Sequence, residues 1–419
     1  MTWRLCLVFG LILGAARPAP GAFTQEIYVW QRQTGPEVAA ALRDFAPRCT
    51  GFNVLAAEVS WKDGRAQTVR PQLDFRSLAG LGRPVGLSLR VGAYGGSFAA
   101  ADGAARGLGE LVGSLLAAAR AGGLEPAELQ IDFDCAGHTL AGYAQWLGAF
   151  RRATGRTPLV FTALPAWLDQ PDFFTLAAVA DGFVLQVHSL ERPASPDAPF
   201  ALCDPVRARR WAGQAARLGK PFRVALPTYG YVLAFDRAGK FLALAAEGPR
   251  PAWPAGTQLR VVRADAVALA ALARELTASP PANCTGLLWF RLPVVGDRLN
   301  WDPITLTTVL RGEIPQAALV TEVSWTEPGL AEIAVHNTGQ TTELLPRELG
   351  LAWPAETALA AGDGLAGFRL ELAAEGGAGR LRVNNFSAEA LLSPGRRVKV
   401  AWLRFPHESS LSVRLVEVR

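Results

Sequence analysis

Eight short apolar runs alternate with helical stretches between residues 26 and 311, and few architectures accept that pattern. The runs cover residues 27–31, 51–58, 85–91, 129–134, 159–163, 182–188, 223–227 and 286–291. Helical periodicity lies between several of them, for example over 107–121, 204–218 and 265–277. Strands separated by helices pair in parallel, and eight such units over about 285 residues predict a closed (β/α)8 TIM barrel. The connection 228–260 is longer and holds two strand-like runs of its own, 232–235 and 240–244, which predict an inserted hairpin-bearing subdomain.

After Pro315 the texture changes to short β-prone runs broken by Gly, Pro and Asn: 320–325, 331–336, 349–353, 368–372, 380–384 and 398–405. They predict a small C-terminal β-sandwich over 315–419, with the barrel over 23–314. Appended sandwiches of this kind either bind carbohydrate or brace the larger domain.

The N-terminus has a positive region ending at Arg4, an apolar run over 5–13 and small residues over 14–22. That order predicts a secretory signal peptide over 1–22, because the run is too short to span a bilayer. Cleavage after Ala16 or after Ala22 fits equally. Cys6 lies inside the apolar run, so a lipid anchor is not indicated. No later stretch reaches about 18 uninterrupted apolar residues, so no membrane span is expected in the mature chain. The expected location is the periplasm or the extracellular space.

The formal charge of +5 comes mostly from scattered arginines, with no basic stripe interleaved with aromatics, so no nucleic-acid partner is expected. Four cysteines follow the signal: Cys49, Cys135, Cys203 and Cys284. An even number in an exported chain favours disulfides. Cys135 and Cys203 each lie in a loop after a strand, so a Cys135–Cys203 bond is the expected pairing. Cys49 and Cys284 precede strands and either pair or stay as buried thiols. Neither Cys nor His shows close ligand spacing, so no metal or other cofactor is expected.

The most informative single strand is Leu129-Gln130-Ile131-Asp132-Phe133-Asp134. Its apolar residues alternate with an amide and two carboxylates, so one face packs against a helix and the other carries acids. Barrel active sites sit at the C-terminal ends of the strands. Polar residues gather at those ends: Glu58, Arg90, Asp132 and Asp134, Gln186 and His188, then Thr228 with Tyr229, and Trp289 with Arg291. Burying that many polar groups is unfavourable unless they are paired or hydrated, which points to a wet cleft. Neighbouring carboxylates suit glycosyl chemistry, with one acid protonating the leaving oxygen and another stabilising positive charge or activating water. Crowding raises the pKa of one of the pair. Asp134, nearer the mouth, is the main catalytic candidate, with Asp132 and Glu58 assisting. Asp132 has a second reading, as a buried acid bonded within the barrel. Trp30, Tyr229 and Trp289 are candidate sugar-stacking rings, Arg90 a carboxylate partner, and His188 an orienting hydrogen-bond partner. Gln186 and Arg291 complete the expected binding set. No Gly-x-Ser-x-Gly elbow is present.

The runs Tyr28-Val29-Trp30-Gln31, Gln130-Ile131-Asp132-Phe133-Asp134-Cys135, Thr162-Ala163-Leu164-Pro165-Ala166-Trp167, Leu185-Gln186-Val187-His188-Ser189 and Ala225-Leu226-Pro227-Thr228-Tyr229-Gly230 resemble an exported bacterial family, domain of unknown function 3142. The resemblance spans the barrel and reaches toward the tail. A more distant resemblance is to family 18 glycoside hydrolases, the chitinase-type barrels. Their fourth strand carries Asp-x-Asp-x-Glu, matched here by Asp132 and Asp134. Their seventh strand reads Leu-Pro-x-Tyr-Gly, matched by Leu226-Pro227-Thr228-Tyr229-Gly230. Their eighth-strand tryptophan is matched by Trp289. The family's proton-donating glutamate falls on Ala136, which implies that another acid protonates the leaving group or that the site binds without cutting.

The expectation is an exported glycoside-hydrolase-like protein acting on an envelope or extracellular polysaccharide. The alternative is a non-catalytic glycan-binding or scaffolding protein descended from a hydrolase. A barrel deacetylase using a metal is a third option, weakened by the lack of a His/Asp ligand cluster.

Overall fold

The computed structural model describes residues 22–99, 102–248, 251–383 and 391–416. The expected signal segment lies almost wholly outside them. No described helix is long and apolar enough to cross a membrane.

Among the described residues, twelve strands precede the tail: β1 (Thr24–Val29), β2 (Gly51–Lys62), β3 (Arg65–Val69), β4 (Val85–Val91), β5 (Leu129–Phe133), β6 (Leu159–Ala163), β7 (Gly182–Gln186), β8 (Phe222–Pro227), β9 (Gly230–Phe235), β10 (Phe241–Ala245), β11 (Gln258–Arg263) and β12 (Cys284–Phe290). Between and after them lie α1 (Pro36–Phe45), α2 (Phe75–Ala79), α3 (Gly103–Ala121), α4 (Leu140–Thr154), α5 (Pro171–Val179), α6 (Pro205–Ala215), α7 (Ala266–Ala278) and α8 (Pro303–Leu310). Strands β1, β2, β4, β5, β6, β7, β8 and β12 neighbour one another in that order, and β12 returns to β1, closing a (β/α)8 barrel.

Helix boundaries follow local chemistry. Asp102 caps α3 by accepting from the Ala105 amide at 2.8 Å, and Gly122 follows its last turn. Asp265 caps α7, and Asp302 caps α8 ahead of Pro303. On α3 the buried residues Ala105, Leu108, Val112, Leu115 and Ala119 recur at helical spacing and cover the sheet.

Every residue of β5 is buried, because its apolar face meets helices while its polar face meets the barrel interior. The interior is itself layered. Tyr28, Val160, Val184, Ala225 and Leu288 form its apolar side. Opposite them, Asn53 donates to Gln130 at 3.1 Å and to Glu128 at 3.0 Å, Ser88 bonds Asn53, and Gln130 bonds Tyr28. At the strands' N-terminal end, Arg223 is held between Glu26 and Glu128, bonding the latter at 2.6 Å. Gly86 is required here: a Cβ would come within 2.7 Å of the Asn53 amide.

Two compact units divide the chain. One holds residues up to Gln186 with Arg210–Ala225 and Pro280–Leu292; the other holds Val187–Arg209, Leu226–Ser279 and everything from Pro293 onward. In the second unit, β9 pairs antiparallel with both β10 and β11, so the insertion is three-stranded. Its tail contains two four-stranded antiparallel sheets. One is built of Leu319–Glu327, Leu330–Asn337, Arg397–Arg404 and Ala361–Gly364; the other of Phe368–Leu372, Ala378–Val383, Glu348–Ala352 and Ser412–Leu415. Ile333, Val335 and Leu403 from the first sheet share a core with Leu349, Leu351 and Leu381 from the second, which is sandwich packing.

Among the elements that escaped the sequence reading is a hairpin at the edge of the barrel sheet. Strand β2 runs on to Lys62 and turns back as β3, whose five residues are all exposed. Apolar periodicity cannot reveal such a strand, but Asp63-Gly64 between them, both at positive φ, is a two-residue hairpin signal. The expected Cys135–Cys203 bond is corrected: Cys49, Cys135, Cys203 and Cys284 are all free and buried. A disulfide requires its Cβ atoms about 4 Å apart, which loops facing the same way do not by themselves supply. Burial pushes the Cys135 thiol up to about 11 and the Cys203 thiol up to about 12, leaving both protonated.

Candidate functional site

In the first unit, Glu58 joins a row of polar residues because a single irregularity sets the parity of β2. In its pairing with β4, Leu55 lies opposite Ser88 and Ala57 opposite Leu89, so Ala56 is an extra residue. That bulge re-aims the rest of the strand and brings Glu58 opposite Arg90, whose own neighbour on β5 is Asp132. Thr162 of β6 extends the row. Glu58, Arg90, Asp132 and Thr162 therefore share one face of four adjacent strands, near their C-terminal ends.

Arg90 is the hub. Its Nη1 donates to Asp132 Oδ2 at 2.6 Å and its Nη2 to Asp134 Oδ2 at 2.9 Å. Thr162 Oγ1 donates to the other Asp132 oxygen at 2.8 Å. The Asp132 side chain is 7% exposed, whereas that of Asp134, one residue beyond the end of β5, is 36% exposed. Burial raises the pKa of Asp132; Arg90 opposes that shift and the Asp134 charge adds to it. Burial also works against the Arg90 charge, but the two aspartates outweigh it and push the guanidinium pKa up. Glu58 is paired separately with Arg32, in a fork of 3.0 and 2.6 Å.

Aromatic rings gather on β1 and β12. Trp30 and Phe290 lie 5.3 Å apart by ring centroids, and Tyr28 meets each edge-on at 5.4 and 5.5 Å. Trp30 and Phe290 are only partly buried and pack against the interior cluster that includes Leu288. Trp289 is corrected on this point. Leu288 and Phe290 face inward, so Trp289 between them faces outward, is fully buried, and donates from Nε1 to Gln25 at 3.2 Å. Phe290 occupies the inward place that sequence had assigned to Trp289. The signal was the two-residue period itself: Ile27 pairs with Trp289, and Tyr28 and Trp30 alternate with it.

Gln186 ends β7 and Arg291 follows β12, each half-buried. His188 and Tyr229 belong to the second unit, where His188 Nδ1 lies 3.0 Å from the Tyr229 hydroxyl and both are buried. Tyr231 links this pair to Ser189, its hydroxyl 3.4 Å from Tyr229 and 3.1 Å from Ser189 Oγ. Burial lowers the His188 pKa to about 3, so the ring is neutral and serves as a fixed polar contact. Ala136 lies beyond β5 and opens a short 3-10 turn, outside the strand row that carries the acids. Among the described residues, no three His, Cys, Asp or Glu side chains converge as a metal-holding group.

A buried acid beneath a rim acid, joined by one cation, can hold a polar ligand. The chain is similar to several solved structures. The spore cortex-lytic enzyme SleL of Bacillus megaterium is 15% identical with a TM-score of 0.50, covering 71% of this chain and 76% of that one. A chitinase of Chromobacterium violaceum is 14% identical with a TM-score of 0.47, covering 70% and 99%. The family 18 chitinase ChiB of Flavobacterium johnsoniae is 10% identical with a TM-score of 0.45, covering 70% and 94%. No curated protein sequence matches. The model of the family described as domain of unknown function DUF3142 matches residues 82–295 and does not extend into the tail. That match takes in just over half of the 419 residues, from before β4 to just past β12, and the chain belongs to this family.

Proposed function

We propose that the protein is an exported glycoside-hydrolase-like enzyme that acts on an envelope or extracellular polysaccharide. The observation that carries this reading is the shared guanidinium: Arg90 holds a buried Asp132 and a rim-exposed Asp134 at once. Asp134 is the acid a glycosidic oxygen can reach, and Asp132 beneath it is the fixed charge that stabilises positive charge at the sugar carbon. Arg90 opposes the burial that raises the pKa of Asp132. A sugar hydroxyl that draws Arg90 away from Asp134 leaves two carboxylates close together. Trp30 and Phe290 supply apolar faces for a pyranose ring. Residues 1–22 are assigned as the export signal that delivers the chain to the periplasm or beyond.

The test is turnover on a panel of polysaccharides by the wild type and by Asp134→Asn. Loss of at least about a hundredfold in the variant is expected from removing a general acid. Full activity in the variant would overturn the assignment of Asp134. One observation favours the alternative, a binder that does not cut: Glu58, Asp132 and Asp134 each have an arginine partner. Saturable glycan binding without products after prolonged incubation would establish that alternative.

A further inference from the structure

The second unit contains a cavity of about 610 Å3 walled by the inserted sheet, the loop after Pro293 and turns of the tail. Its lining is mixed: Val232, Leu259 and Val261 of the inserted sheet are apolar, while Glu247, Asp297, Arg298 and Asp302 are charged. The Arg263 guanidinium stands at the junction with an adjoining hollow of about 960 Å3, which Arg263, Trp301 and Thr342 also line.

Arg263 is fixed by backbone alone. Its Nε donates to the Leu299 carbonyl at 3.3 Å and its Nη2 to the Asn300 carbonyl at 2.6 Å. Among the described residues, no carboxylate lies within ion-pair distance of it. A guanidinium carries five N–H donors, so the planar fork retains capacity on its Nη1 side. Burial lowers its pKa, opposed by Glu247, Glu343 and Asp302, but an arginine stays charged in a protein. Two of the carboxylates that line the cavity are engaged elsewhere: Glu247 accepts from the Arg298 and Leu299 amides, and Asp302 caps α8. An oriented, half-buried guanidinium whose bonds run to backbone carbonyls can offer its remaining donors to an anionic ligand. Arg396 lines the same cavity, as do the Ser393 and Thr342 side chains and the half-buried indole of Trp253.

We propose that this cavity is a second ligand site, taking a small acidic sugar with its carboxylate on Arg263 and its ring against Trp253. Carboxylate matches the guanidinium fork, hydroxyl groups match Ser393 and Thr342, and the volume suits one or two pyranose rings. The site is independent of the barrel acids and of whether they catalyse.

The test is calorimetric titration of the full chain with D-glucuronate, glucose and inorganic phosphate. Glucuronate is expected to bind at least about tenfold more tightly than either of the others. Arg263→Gln and Trp253→Ala are each expected to weaken glucuronate binding about tenfold, whereas Asp134→Asn leaves it unchanged. Because Arg263→Gln also removes two backbone contacts, Trp253→Ala serves as the variant that tests the site if the first fails to fold. The proposal is overturned if glucose or phosphate binds as well as glucuronate, if binding survives Trp253→Ala, or if Asp134→Asn abolishes it. Absence of glucuronate binding at about 20 mM also overturns it.

Discussion

At the scale of single residues, Arg90 has the largest influence on the barrel acids. Arg90→Gln leaves Asp132 buried without its cation. The expected loss is about 2–3 kcal/mol, below the figure for a fully buried pair because Arg90 is one-third exposed. Urea denaturation measures that loss, and carboxyl carbon titration by NMR should show Asp132 moving further upward. An unchanged Asp132 titration would mean that the ion pair is not maintained in solution. His188 gives a second residue-level prediction. Its folded pKa of about 3 lies below the ordinary value of 6.5, so the unfolded chain binds the proton more readily between those limits. Its contribution to stability is therefore full above pH 6.5 and declines as pH falls toward 3. His188→Gln should flatten the dependence of the denaturation midpoint on pH across that window. Retention of the wild-type slope would assign the slope to other groups.

At the scale of elements, parity decides what each strand offers the interior. The β2 bulge at Ala56 turns Glu58 toward Arg90, and periodicity counted from Asn53 without the bulge would have turned it outward. The sequence reading placed Glu58 at the rim from its position at the strand end, and it could not have located the bulge. On β12 the reverse occurred: aromatic identity drew attention to Trp289, while strict alternation with Leu288 favoured Phe290. The two rings should respond differently to truncation. Trp289→Ala empties a fully buried outer position and should reduce stability by about 3–5 kcal/mol. Phe290→Ala should reduce stability less and weaken glycan affinity more, as measured by thermal melts and binding titrations of both variants. Equal effects of the two substitutions on binding would deny Phe290 a place in the ligand site.

At the scale of the whole molecule, the barrel and the β-rich tail were legible because apolar runs repeat with strand and helix periods and each run meets a helix or a second sheet. The row Glu58–Arg90–Asp132 was legible in part, since polar residues at strand ends announce a rim. The pairing of Arg90 with both aspartates depends on side-chain reach across neighbouring strands, which spacing along one chain does not encode. Cysteine pairing failed for a similar reason, since parity of number says nothing about proximity. With four buried free thiols, the native protein should resist alkylation and the denatured protein should take up label at Cys49, Cys135, Cys203 and Cys284. A melting temperature that falls on adding reductant would contradict this state. The stack of Arg223, Glu26 and Glu128 beneath Asn53, Gln130 and Tyr28 has a further consequence for traffic. It stoppers the barrel from below, so no polymer can be drawn through it like cord through a bead. Whatever enters must leave by the same doorway.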